Sequence, residues 1–251
     1  TRNESSAASD VYKRQVLNYA ADVFGSAEDT LLYTISNLRG WQIRKESFLR
    51  GELSTSGRVD DEGMENVTFH SELKYYDVLG PKYWKEKFLG HHTLAFSMSL
   101  DLSEKLDRDK EFLLGADGGL RGYESKAFSG EHRFVVNLED RFHLMKDYYN
   151  LFNLGGAFFI DAGGTSRKSV GNIFSENFYA NIGFGLRIGI PRSSNGTVVR
   201  LDVAFPLREG DDGSAVFEPR FLFTTGQAFS NRLSSESRGF NHQNLSQSSV
   251  R

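Results

Sequence analysis

His92–Leu102 reads HTLAFSMSLDL. Leu94, Phe96, Met98, Leu100 and Leu102 take every second position, with Thr93, Ala95, Ser97, Ser99 and Asp101 between them. Successive side chains of a strand point to opposite faces, so this stretch predicts a strand with one apolar face and one small, polar face. The pattern recurs downstream. In His132–Leu144, Phe134, Val136, Leu138, Phe142 and Leu144 oppose Arg133, Val135, Asn137, Glu139, Arg141 and His143, and Asp140 interrupts the apolar row. In Leu154–Gly163, Phe158, Ile160 and Ala162 oppose Phe159 and Asp161. Phe178–Ile190 sets Ala180, Ile182, Phe184, Leu186, Ile188 and Ile190 against Asn181, Gly183, Gly185, Arg187 and Gly189. Val198–Pro206 and Val216–Phe229 continue it, with Arg200, Asp202, Glu218, Arg220, Thr224 and Gly226 on the polar side. A series of strands whose second face carries glycine, amide and charge is harder to place in a packed soluble core. It fits the wall of a transmembrane antiparallel β-barrel, apolar toward lipid and polar toward the lumen. A soluble β-sandwich would instead require a second sheet over the apolar face.

Upstream the signal is weaker. Thr30–Arg39, Glu46–Ser56 and Asn66–Tyr76 read as strands, Arg58–Glu65 as an acidic loop and Val16–Asp29 as ambiguous. Asp77–His91 reads as a long aromatic connection, which suits either a membrane–water interface or an ordinary loop. About nine strands result. Tight turns follow Leu144 and Ile190, whereas Ser103–Ser129, Thr165–Asn177 and Leu207–Ala215 are long and polar. That asymmetry matches short periplasmic turns and long external loops, with Asp77–His91 as the exception.

The ends of the chain read differently. Ser5–Gln15, SSAASDVYKRQ, is the in-frame translation of a standard transposon-based sequencing adapter, so residues 1–15 are set aside as non-native. On that reading the gene is truncated upstream, and 16–229 is the C-terminal part of a barrel. Ser230–Arg251 is polar and rich in Ser and Asn, and fits either a disordered tail or sequence beyond the true stop.

Composition removes several function classes. There is no cysteine, hence no disulfide or cysteine-ligated metal, and a net charge of −3 gives no field for nucleic acid. No apolar run is long enough for a transmembrane helix. His91 and His92 read as solvated turn residues. Asp60–Glu62 and Asp211–Asp212 lack the spacing of a calcium loop. Gly183-x-Gly185 lies inside a strand and is no dinucleotide fingerprint. Ser129, Ser175 and His143 form no nucleophile motif. No enzyme, cofactor or metal site is expected.

One loop stands apart. Leu114–Tyr123 reads LGADGGLRGY, within the long Ser103–Ser129 connection. Glu139 and Asp161 fall on the inner phase of the next two strands and would repel each other unless a cation lay between them. The planar fork of Arg121 can bind two carboxylates at once. The residues alone leave two readings open, a loop anchor or three solvated lumen charges.

These motifs, in order, resemble the C-terminal barrel of the BamA/TamA-like outer-membrane protein assembly superfamily, also called the bacterial surface antigen family. The carriers are Leu120-Arg121-Gly122-Tyr123, then Asn137-Leu138-Glu139, then Phe159-Ile160-Asp161-Ala162-Gly163, and a terminal strand with Phe221, Phe223, Gly226 and Phe229. The likeness covers roughly Leu94–Phe229, and more faintly Thr30 onward. It implies that Arg121, Gly122, Tyr123, Glu139 and Asp161 hold the sixth loop, and that Phe221–Phe229 is the terminal assembly signal. It also implies the second half of a sixteen-stranded barrel in the bacterial outer membrane, assisting insertion or translocation of client proteins, with periplasmic accessory partners. A two-partner secretion pore and a barrel anchoring a fused passenger enzyme are the alternatives. A fragment of such a barrel cannot close with its natural geometry, so a curved open sheet or a strained small closure is expected.

Overall fold

The computed structural model describes residues 11–20, 30–61, 63–85, 87–148, 152–190 and 197–226. One antiparallel sheet dominates. It begins with β1 (Val11–Ala20), β2 (Thr30–Arg44), β3 (Ser47–Asp60), β4 (Gly63–Trp84) and β5 (Lys87–Glu104). A small ribbon of β6 (Phe112–Leu114) and β7 (Phe128–Gly130) then leaves the wall. The sheet resumes with β8 (His132–Tyr148), β9 (Phe152–Ser166), β10 (Tyr179–Ile190), β11 (Thr197–Pro206) and β12 (Arg220–Gly226). Strands follow chain order, and the sheet is open, with β1 and β12 at its edges.

The expected count of nine strands is corrected to ten in the sheet. Asp77–His91 is not a connection: β4 runs through it to Trp84, and β5 starts at Lys87. Irregular register near Gly80, whose φ is +73°, accommodates the proline and glycines that hid the strand. The exception to the loop asymmetry therefore disappears. The acidic stretch Arg58–Glu65 is likewise paired strand around a tight turn. Gly63, at φ +122°, donates its N–H to Asp60, and Arg58 bridges Asp60 and Glu65, so the charges neutralise locally.

Three further boundaries move. Val216–Pro219 is a turn with Phe217 at φ +60°, so the terminal strand starts at Arg220. The Thr165–Asn177 loop holds a single-turn helix, α1 (Val170–Ser175), which buries Ile173. Val11–Gln15, the end of the adapter-like stretch, pair in register with Ile35–Arg39. Ladder pairing uses backbone groups that every such sequence has, so this pairing does not depend on where the residues came from. Residues 1–10, residues 21–29 of Val16–Asp29, the turn after Ile190, Phe229 and Ser230–Arg251 lie outside the described residues.

The two faces of the sheet behave oppositely. The apolar phase is bare: Phe158 is 60 % exposed, Phe184 50 % and Phe221 77 %. Among the described residues no second sheet covers it. The polar phase is the buried one, with Asp161 and Asn181 at 0 %. What covers it is the loop between β5 and β8. Leu114, Leu120, Tyr123 and Phe128 of this loop form the apolar core with Val135 of β8 and Tyr179 of β10.

Candidate functional site

Strand register sets the site before any loop residue arrives. Asn137, Asp161 and Asn181 lie directly opposite one another across β8, β9 and β10. The next inward row is Glu139, Phe159, Gly183 and Ala204, and the third is Arg141, Ala157, Gly185 and Asp202. Polar groups thus alternate with small residues across four strands. Gly183 has no side chain because the Phe159 ring occupies that space. Asp202 and Arg187 fill the corresponding space over Gly185.

The loop is prepared locally. The ribbon of β6 and β7 closes its base, and Leu120 N–H donates to Gly115 O at 2.8 Å. Gly119, at φ +113°, takes a conformation that side chains disfavour. Leu120, fully buried, turns into the core, and the next residue is thrown onto the wall.

Arg121 lands flat on the Phe159 ring, its Cζ 3.4 Å from the centroid. Its Nε and Nη2 donate to the two oxygens of Asp161, each at 2.8 Å, and Nη1 donates to Glu139 Oε2 at 3.0 Å. Asp202 stands 3.6 Å from Nη1. Burial alone would lower the Arg121 pKa, but Asp161 and Glu139 outweigh it and raise the value above the ordinary one. The guanidinium therefore stays charged.

The remaining lone pairs of the carboxylates are also occupied. Asn137 Nδ2 donates to Asp161 Oδ1 at 2.8 Å and to Gly119 O at 2.7 Å, and Asn181 Nδ2 donates to Asp161 Oδ2 at 2.9 Å. Glu139 Oε1 accepts from Arg141 Nε at 2.9 Å and Arg187 Nη2 at 3.3 Å. Arg187 in turn pairs with Asp202 on β11. Such saturation matters because an unpaired buried charge costs several kcal/mol, on the order of 3–5 when one partner of a buried pair is removed.

All five residues of the expected cluster occur together. Gly122 passes close over β10, where a Cβ would come within 2.6 Å of Asn181 Cβ. The Tyr123 hydroxyl is 3.0 Å from both Ala180 O and Arg208 O. Of the terminal signal, Phe221 and Phe223 lie exposed on β12 and Gly226 ends that strand, whereas Phe229 lies outside the described residues.

Sequence reading missed several partners. Asn137, Asn181, Arg187 and Asp202 were on the right phase, but nothing in one strand says which inward polar groups meet across four. A second node was also missed. Asp101 accepts from Arg133 Nε at 2.8 Å and is 2.6 Å from His70 Nδ1, while Arg133 Nη1 donates to Leu113 O at the base of the loop. His92, expected to be solvated, pairs with Asp140 at 2.8 Å and stacks on Phe142. Asp140 thereby interrupts the apolar row with a partner at hand. Asp211 and Asp212, expected to be plain loop charges, accept from Tyr179 Oη and the Glu124 N–H.

The fold and site define a class: an all-β protein whose long loop is anchored by an arginine to carboxylates on the polar face of one antiparallel sheet. The chain belongs to the Omp85 superfamily, whose domain matches residues 47–229, from β3 onward and within the span that the motif likeness covers. Proteins of this superfamily are outer-membrane proteins of Gram-negative bacteria, non-enzymatic, that act in protein insertion or translocation. No individually curated protein matches the chain.

Proposed function

We propose that this chain is the C-terminal part of a closed, roughly sixteen-stranded BamA/TamA-like barrel that assists insertion of outer-membrane proteins, with its apolar face toward lipid. One observation carries the reading: the sheet is bare on its apolar side, while on its charged side the loop folds onto Asp161 and Glu139 and pairs both. In lipid the bare face is solvated and the charged face is shielded by the lumen and the loop. The Arg121, Glu139 and Asp161 cluster sets the position of the loop, and β12 forms one side of a seam. An incoming client strand pairs with the β12 edge, whose outer N–H and C=O groups are unused in the sheet. The energy comes from folding of the client, and accessory proteins act from the periplasm.

The test uses the absence of cysteine from these 251 residues, with any cysteine elsewhere in the complete barrel replaced by serine. A single cysteine replaces Leu222 of β12 in the complete barrel, reconstituted in phosphatidylethanolamine–phosphatidylglycerol vesicles. Another is placed in the last strand of a urea-unfolded eight-stranded outer-membrane barrel. The expected result is a disulfide between them that forms only during insertion, together with insertion faster than in empty vesicles. Unassisted insertion with no disulfide would overturn the proposal.

A further inference from the structure

The anchor at Arg121 explains how the loop is seated, but the following residues make a separate set of contacts. These run to the connection 207–219, which leads into the terminal strand. Glu124 N–H donates to Asp212 Oδ2 at 2.7 Å. The same carboxylate accepts from Ser214 Oγ at 2.7 Å and from the Ser214 N–H, through Oδ1, at 3.1 Å. Gly210 N–H donates to Ser214 O, closing the connection into a compact turn around that carboxylate. The Tyr123 ring lies against Gly210, where an added Cβ would be 2.9 Å from Cδ1, and its hydroxyl reaches Arg208 O. Arg220, the first residue of β12, faces Glu124 at 3.4 Å. Asp212 therefore joins the loop tip to the connection and shapes the connection, which runs on through the Phe217 N–H to Pro206 O bond into the terminal strand.

Burial acts to raise the Asp212 pKa, but the N–H groups of Glu124 and Ser214 and the Ser214 hydroxyl outweigh it and hold the carboxyl below its ordinary range. At neutral pH the acceptor is ionised, and charge-assisted bonds of this kind are about twice as strong as neutral ones. The Glu124–Arg220 pair is exposed and adds little.

We propose that Asp212 is a positioning residue that ties the tip of the Arg121 loop to the terminal strand, so that the order of β12 depends on where the loop sits. β12 has β11 as its partner in this sheet, and its other side is the seam that opens, so its ordering rests chiefly on one ladder and on what holds its first residue. A loop seated on the wall holds the 207–219 turn, and the turn holds the entry to β12. This rests on the reading of β12 as a seam strand. Its test needs no client, so the two readings fail separately.

The experiment is amide hydrogen exchange on the complete barrel in phosphatidylethanolamine–phosphatidylglycerol vesicles, comparing wild type, Asp212→Ala and Asp212→Asn. Asp212→Ala should speed exchange at the Glu124 amide and across Arg220–Gly226 at least fivefold, with the Arg121 amide unchanged. Asp212→Asn keeps an acceptor without the charge and should fall between. Faster exchange at Glu124 with β12 unchanged would overturn the coupling, and no change at either would overturn the latch. If Asp212→Ala does not fold, Tyr123→Phe keeps the ring and removes the hydroxyl's bonds to Ala180 O on the wall and to Arg208 O at the connection. It should loosen the same β12 amides by a smaller factor, and unchanged β12 amides would again overturn the coupling.

Discussion

Arg121 and Asp161 meet fork on fork, with Nε and Nη2 on opposite oxygens at 2.8 Å each, and Asp161 has no exposed surface. One residue belongs to a loop and the other to the middle of a wall strand, 40 positions later. Bidentate geometry fixes direction as well as distance, so the pair determines how the loop lies, not merely that it touches the wall.

Removing that fork should therefore free the loop without unfolding the sheet. Arg121→Ala leaves Asp161 and Glu139 as buried carboxylates short of a cation, at a cost of about 3–5 kcal/mol. Cleavage of the 103–131 segment by an added protease should accelerate at least tenfold. Arg121→Lys should behave nearly as badly, because an ammonium cannot engage both Asp161 oxygens and Glu139 while lying flat on Phe159. A lysine variant as resistant as wild type would show that charge alone suffices.

Gly122 tests the same seating by shape. Alanine there removes no bond, but its Cβ would stand 2.6 Å from Asn181 Cβ and 3.2 Å from Pro206 N, both on the wall. Neither neighbour can swing away, so the loop must lift. Gly122→Ala should reproduce much of the Arg121→Ala protease sensitivity with all the charges present. Unchanged resistance would mean that the loop has slack over β10.

The chain declares its strands more readily than its site. Period-two alternation from Leu94 onward marks the faces correctly, because each strand has to sort apolar from polar residues on its own. It fails where a strand carries proline or glycine, as in Gly80-Pro81, or runs into clustered acids, as β3 does at Asp60. There local turn chemistry outweighs a ladder that only the neighbouring strands make visible. The compact loop motif and the carboxylates on the next two strands raise the Arg121 cluster as one of two readings, and the family resemblance rather than the residues favours it. Asp202 and Arg187 were not legible, since their part depends on the register of β10 with β11, and that is set across the sheet. Asp212 was hidden for another reason. An acidic loop residue looks the same whether it is solvated or receives a backbone N–H from a residue 88 positions away.

Acid should loosen the loop tip at the Asp212 latch. The Asp212 carboxyl in the folded state titrates below its ordinary 3.8. A depressed folded value means that the stabilisation is fully present above the ordinary value and is lost as pH falls through the folded one. A spin label at exposed Ser125 should be immobile at neutral pH and become mobile below about pH 4, the ordinary carboxylate range. Asp212→Asn should remove that step. A step that persists in Asp212→Asn would assign it to another group.

The two faces of β12 allow the lipid-facing reading to be tested within a single strand. Phe223 is 66 % exposed on the bare phase, and Thr224 next to it points to the charged phase, opposite Arg200. An arginine on the lipid face of a barrel costs about 2–4 kcal/mol near the bilayer midplane, whereas a lumen position tolerates charge. Phe223→Arg should therefore lower the urea midpoint of the complete barrel in vesicles clearly more than Thr224→Arg, which costs only the repulsion from Arg200 across the ladder. In a soluble sheet with water on its bare side, Phe223→Arg would instead be neutral or stabilising. The order of the two variants discriminates, since both add the same charge to the same strand and differ only in the face that receives it.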